Sequence, residues 1–374
     1  MRNSEAPRTA YREEPVLYMS IELAERQWKL AFGIAPAVGV RVRTVVARDL
    51  GRVLEEISRA RARLDLPENC RVTSCYEAGQ DGFWIHRWLV SEGIENQMVD
   101  PSSLRVSRRG RRAKTDRIDV QRLLQQLMED EYLGRKTYRV VRVPSVEQEG
   151  SRHLHRELEV LKQERTRHRN RARSLLKLYG AVVRGTGHFS TKVRRAVAWD
   201  GRALPGDVKD RVERELRRLQ LVMEQIRELE KARRERVQES KKARRLFRLR
   251  SIGESTAWLL SEELFAWRQF SNRRQVGSCA GLTPTPYATG QSSWEQGISK
   301  AGNRRVRKQM VEIAWLWLRY QPRSDLTRWF QTRFGPGSKR NRRVGIVALA
   351  RKLLVALWRY VEEGIVPAGA TLKA

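Results

Sequence analysis

The chain has 374 residues, 40% of them hydrophobic and 32% charged, with 76 Lys and Arg against 43 Asp and Glu and a net charge of +33. That length calls for two or three domains, and the hydrophobic share is enough to build their cores. The cationic excess goes beyond what solubility needs and points to a polyanionic partner, nucleic acid first; a small-molecule metabolic enzyme has no use for it.

Other classes fall on local grounds. The apolar stretch from Val344 to Trp358 carries Arg351 and Lys352 and is too short and too charged to span a bilayer. The first residues hold no apolar segment of the secretory type, and no lipidation motif appears, so no membrane partner is expected. Cys70, Cys75 and Cys279 lack paired metal spacing and read as reduced thiols of a cytoplasmic protein. The five histidines are scattered, so any metal chemistry must run on carboxylates.

In chain order, residues 1–14 read as a disordered arm. Val16–Glu22 and Trp28–Phe32 read as strands around a turn, and Val40–Ala47 as a third strand. Leu50–Leu64 has helical spacing, Arg71–Glu77 is a fourth strand and Phe83–Val90 is helical. Gln97–Val99 makes a short fifth strand, and Arg117–Leu133 a helix with Ile118, Leu123, Leu124 and Leu127 along it. The order βββαβαβα is that of a ribonuclease H-like α/β sheet with helices on both faces, here over residues 15–145.

A second region, 146–244, is expected to form an antiparallel coiled-coil insertion. Leu154, Leu158 and Leu161 open it, and after a break at 180–206 Val212, Leu216, Leu219, Met223, Ile226 and Leu229 alternate spacings of four and three. The last region, 245–374, reads as mostly α-helical. Leu249, Ile252 and Gly253 resemble half of a helix-hairpin-helix, followed by a loop from Gly281 to Gly302, a helix over 304–319, a basic loop over 335–343 and a final helix to about Val361. Trp315, Trp317 and Trp358 fit the cores of these helices, and Trp84 and Trp88 the core of the first domain.

Four acids stand out on this scheme. Glu22 ends the first strand, Glu77 ends the fourth, and Asp116 and Asp119 share one face of the helix that begins in KTDRID. In a ribonuclease H-like sheet the first and fourth strands are neighbours and this helix crosses them, so the four carboxylates converge. Such a cluster needs a neutralising cation, and hard oxygen ligands select Mg²⁺ or Mn²⁺, the ions of phosphodiester chemistry. Each acid alone also fits an ordinary surface role, the two aspartates suiting the positive end of a helix dipole.

With KTDRID in the first region and GLTPTPY…G…SKAGNRRVR in the last, the chain resembles the DEDD transposases of insertion sequences, the bridge-RNA-guided recombinases. The resemblance covers nearly the whole chain and implies a RuvC-like N-terminal domain, a coiled-coil insertion and a C-terminal transposase domain. It implies cutting and rejoining of donor and target DNA at sites chosen by a structured guide RNA, in a homo-oligomer, dimer or tetramer, of the bacterial cytoplasm. The family's acidic tetrad falls on Glu22, Glu77, Asp116 and Asp119, with Glu in place of Asp at the first position. Its nucleophilic serine falls on Thr289, just before Gly290, and Ser292 and Ser293 are the nearby hydroxyls that could replace it.

Around the same motif Lys300, Asn303, Arg304, Arg305, Arg307 and Lys308 surround a helix start and are expected to contact phosphates, as are Lys339 and Arg340. The histidines, His155 among them, suggest no role. Two other functions compete with the RNA-guided transposase: a RuvC-like junction nuclease that uses water in place of a hydroxyl nucleophile, and a non-enzymatic basic coiled-coil protein with inert acids.

Overall fold

The computed structural model describes residues 15–36, 40–104, 115–290 and 292–373; the expected arm at 1–14 lies outside them. The chain divides into two compact units, 1–144 and 145–374.

In the first unit, β1 (Val16–Glu22), β2 (Gln27–Gly33) and β3 (Arg41–Val46) form an antiparallel meander. Then come α1 (Leu50–Arg63), β4 (Arg71–Glu77), α2 (Trp84–Ser91), β5 (Glu95–Val99) and α3 (Asp116–Glu131). The sheet order is β3-β2-β1-β4-β5, and β4 and β5 run parallel to β1. The elements and their order match the sequence reading.

Strand alternation divides the packing between two faces. Leu17, Met19 and Ile21 cluster with Val53, Ile57, Ile85 and Leu89, so α1 and α2 cover one face. Tyr18, Ala31 and Cys75 cluster with Val120, Leu123, Leu124 and Leu127, so α3 covers the other. Residues 17–21 of β1 are therefore all buried, as a central strand covered on both faces requires.

The second unit opens with α4 (Val146–Ser151), held by a reciprocal cap between Ser145 and Gln148. Helices α5 (His153–Lys177) and α7 (Gly206–Glu239) follow, with α6 (Phe189–Arg194) in the connection that the sequence left as a break. Leu158 and Leu161 pack on Val222 and Ile226, while Ala172 and Leu176 pack on Val212, Leu216 and Leu219. The start of α5 thus meets the end of α7, and the pair is antiparallel. Val222 joins the buried stripe beside the half-buried Met223, so the stripe is broader than the expected seam.

The rest is α8 (Lys241–Phe247), α9 (Glu254–Leu260), a π-helical turn at Ser261–Phe265, α10 (Arg273–Cys279), strands β6 (Pro284–Thr289) and β7 (Ser292–Ile298), α11 (Arg304–Tyr320), α12 (Asp325–Phe334) and α13 (Lys339–Glu363). Leu260, Leu264, Met310, Ile313, Trp317, Leu349 and Leu353 lie in its core.

Four sequence expectations are corrected here. The loop from Gly281 to Gly302 contains a β-hairpin. Residues 339–343 of the expected basic loop are the first turn and a half of α13, whose N-terminus Ser338 caps by accepting from the Asn341 N–H. Helix α12 was not anticipated. Trp317 is buried, its indole N–H donating to Ser324 Oγ, but Trp315 is 44% exposed and is not a core residue.

Candidate active site

Glu22 and Glu77 are the last residues of neighbouring parallel strands, one step beyond the Ile21–Tyr76 pair. Alternation puts Glu22 on the face of Ser20 and Glu77 on the face of Cys75, the face that α3 covers. Two side chains fasten α3 there. Ser20 Oγ donates to the Val120 carbonyl at 2.6 Å, and Cys75 Sγ lies 3.9 Å from the Leu123 carbonyl. Burial beneath the helix pushes the Cys75 thiol up, so it stays protonated.

Helix α3 starts at Asp116 because Thr115 caps it, accepting from the Ile118 N–H at 3.3 Å. Its first turn carries Asp116 and Asp119, the latter 4.0 Å from Arg122 Nη1. The fold therefore places two carboxylates at adjacent strand ends and two in the first turn of the helix that covers the same sheet face. The donor set suits a hard divalent cation. Among the described residues, however, no three His, Cys, Asp or Glu side chains stand close enough to hold a metal ion.

Thr289 ends β6 and faces Ser292, the first residue of β7, across a turn in which Gly290 takes a φ of 34°. Their hydroxyls are hydrogen-bonded at 2.8 Å, and both residues are exposed. Ser292 and Ser293 thus lie on a strand, not in a loop. Two residues down the ladder, on the same face, Tyr287 and Trp294 pair with ring centroids 4.4 Å apart. They remain 42% and 50% exposed, so two aromatic faces sit beside the two hydroxyls. The base of the hairpin is closed by Ser299 N–H donating to the Thr283 carbonyl and Lys300 N–H to that of Gly281. Gly281 and Gly302 are required there: both have positive φ, and a Cβ on either would strike the backbone of Ala301 or Cys279.

The expected phosphate contacts separate by environment. Asn303 caps α11 with Oδ1, accepting from the N–H groups of Arg305 and Val306, and donates from Nδ2 to Glu263 at 2.8 Å. Arg307 donates to the Ala280 carbonyl at 3.0 Å, and Arg305 pairs with Glu159 at 2.9 Å. Lys300, Arg304, Lys308, Lys339 and Arg340 are exposed, with no ion pair among the described residues.

A buried polar centre went unread in the sequence. Glu263, 1% exposed, accepts from His155 Nε2 at 2.8 Å, from Arg156 at 2.9 and 3.1 Å, and from Asn303. Burial alone would raise its carboxyl; the bonds from His155 and Arg156 outweigh it and hold the group well below the ordinary carboxylate range. Glu262 beside it accepts from Ser151 Oγ. The available signal was a Glu-Glu pair inside the apolar run WLLSEELFAW.

Residues 243–327 match the family model described as transposase IS116/IS110/IS902 family. The chain is 38% identical over 390 residues to the Sinorhizobium fredii protein named "Putative transposase y4rJ", covering 99% of this chain and 98% of that protein. It is 27% identical over 287 residues to the "Transposase for insertion sequence element IS1328" of Yersinia enterocolitica, covering 76% of this chain and 81% of that one.

Proposed function

Because the chain belongs to the IS116/IS110/IS902 family of transposases, we propose that it cuts and rejoins DNA with a carboxylate tetrad of the DEDD type and a hydroxyl nucleophile, at sites selected by a structured RNA. The observation that carries the chemistry is the placement of Glu22 and Glu77 at adjacent strand ends beneath the helix that begins with Asp116 and Asp119. The strand order supports a ribonuclease H-like, RuvC-like assignment for this unit.

Glu22, Glu77, Asp116 and Asp119 would hold Mg²⁺ or Mn²⁺, which supplies neutralisation of the charge that builds on a phosphate under attack. Thr289 Oγ1 attacks the phosphorus: one O–P bond forms to the threonine, one P–O bond of the strand breaks, the hydroxyl proton passes to solvent and the departing sugar oxygen takes up a proton. The two hydroxyls are within hydrogen-bond distance and either can donate; with Ser292 as the donor, the bond would stabilise the negative charge that develops on Oγ1. Rejoining reverses the step on a second strand. Guide RNA and assembly into a dimer or tetramer belong to the same reading, supported by the charge of +33 and by the resemblance. Among the described residues no helix is long and apolar enough to cross a membrane.

The test traps the protein–DNA adduct and maps the attached residue by mass spectrometry. Asp116→Asn and Asp119→Asn abolish strand transfer with DNA binding kept; Thr289→Ser keeps the adduct and Thr289→Ala removes it. Full transfer by both aspartate variants refutes the tetrad. An adduct that persists in Thr289→Ala moves the nucleophile to Ser292 or Ser293. Cleavage with no adduct at all supports the junction nuclease.

A further inference from the structure

Helices α5, α7, α9 and α11 border an open cleft of about 600 Å³ within the second unit. Its walls carry Lys162, Arg165, Arg167, Arg233, Arg305 and Lys308, and among the described residues the one carboxylate lining it is Glu159, paired with Arg305. Six of its fourteen lining residues are Lys or Arg, far more positive charge than a pocket for a neutral organic ligand needs.

The second observation is a buried guanidinium whose Nε is unbonded and whose one ion-pair contact is long and shared. Arg233 is 7% exposed, its Nε makes no hydrogen bond, and its nearest carboxylate, Glu230, is 3.9 Å away. Glu230 is already engaged by Lys162 at 2.7 Å. That bond first of all, with the nearby Arg233 and Arg165 adding to it, holds the Glu230 carboxyl below its ordinary value. One carboxylate therefore serves three cations. Arg165 has a buried Nε in the same condition.

Other described arginines with a buried, unbonded Nε are compensated. Arg152 and Arg268 lie over the Trp267 ring, Arg169 over Phe189, and Arg61 donates from Nη2 to the Cys70 carbonyl. Arg165 and Arg233 have neither an aromatic face nor a hydrogen bond. Burying a charged donor unsatisfied is costly, and the cost is relieved by an anion that accepts several N–H bonds at once.

We infer that this cleft is a binding site for a backbone phosphate of nucleic acid, with Arg233 at its base and Arg165 and Lys308 beside it. A backbone phosphodiester presents two non-bridging oxygens, which match the two-pronged fork of a guanidinium. The inference rests on the proposed function only in taking nucleic acid as the carrier of the phosphate.

The experiment is fluorescence anisotropy on the full chain, with a labelled DNA duplex and, separately, a labelled structured RNA, over a series of salt concentrations. Each phosphate contact contributes about 0.7–0.9 to the slope of log K against log salt. Arg165→Gln and Lys308→Gln, both at the rim, each make the slope shallower by about one unit. Arg233→Gln does the same if it folds, as read by circular dichroism. Arg63→Gln, on the exposed side of α1, serves as the control for general charge loss. A change seen with DNA alone or RNA alone assigns the phosphate to that nucleic acid. Slopes that match the Arg63→Gln control with both probes overturn the inference. The tetrad is read by strand transfer and this site by the salt slope of binding, so a failed tetrad and a failed phosphate site give different results.

Discussion

Replacing Glu263 by Gln tests the buried centre that ties α5 to the π-helical turn and to the cap of α11. The carboxylate is 1% exposed and takes four hydrogen bonds from three side chains. Removing one partner of a buried ion pair costs about 3–5 kcal/mol. Gln keeps one acceptor oxygen and the shape, and the Arg156 side chain, 34% exposed, regains some hydration, so the expected loss is near the lower end, about 3 kcal/mol. For a unit of this size that lowers Tm by roughly 6–12 °C. The carboxyl is held below its ordinary value of 4.5 in the folded protein. Its contribution is therefore complete above that pH and declines as pH falls through the range between the ordinary and the depressed value. Below about pH 4.5 the wild type loses up to about 1.4 kcal/mol per pH unit relative to the variant. Thermal melts followed by circular dichroism from pH 7 down to pH 3 read both effects. A variant that melts within a degree or two of wild type at pH 7, or a gap that widens on acidification, refutes the reasoning.

Two further outcomes are expected. Ser20→Ala removes the buried bond to the Val120 carbonyl that fastens α3 to β1; it costs about 1–3 kcal/mol in guanidinium unfolding and lowers strand transfer more than DNA binding. Tyr287→Ala and Trp294→Ala remove an exposed pair beside the Thr289 hydroxyl; each weakens binding of single-stranded DNA by about 1–3 kcal/mol, measured by anisotropy, if a base stacks there, with little change in Tm.

The first unit was legible because its signals are local. Buried strands read as continuous apolar runs, and the helix expected from Arg117 begins at Asp116, where Thr115 caps it. The positions of the four acids followed from that, but their distances did not, since these depend on where α3 settles on the sheet. The β-hairpin was hidden for a physical reason. Apart from the half-buried Thr285 and Ile298, its described residues are exposed on both faces, so no apolar alternation marks it, and Pro284 and Pro286 argue against a strand. An edge ribbon tolerates them, with a register shift between the two. Helix α12 did carry a signal in Ser324, whose hydroxyl caps it by accepting from the Thr327 N–H, and in Trp329 and Phe330. His155 carried none, because its partner Glu263 lies 108 residues away.

Counting cations in the sequence measures the field of the protein but not which of them are available to a ligand. Asn303 and Arg307 are occupied in building the turn before α11, and Arg156 in holding Glu263. Arg305 is paired too, but both members of that pair are about two-fifths exposed, so a polyanion can displace Glu159 at little cost. The placement of the others is informative. Helix α13 begins with Lys339, Arg340, Arg342 and Arg343, and α11 with Arg304, Arg305, Arg307 and Lys308, and neither has an acid in its first turn. A cation at a helix N-terminus opposes the dipole and costs the isolated helix about 0.3–1 kcal/mol where the end is exposed. Two helices that accumulate this cost gain it back when a phosphate backbone lies across their N-termini. The same accounting applies to Arg233, whose buried Nε is unbonded and whose contact with Glu230 is 3.9 Å and shared with Lys162: on the inference above, an arriving phosphate offsets that cost.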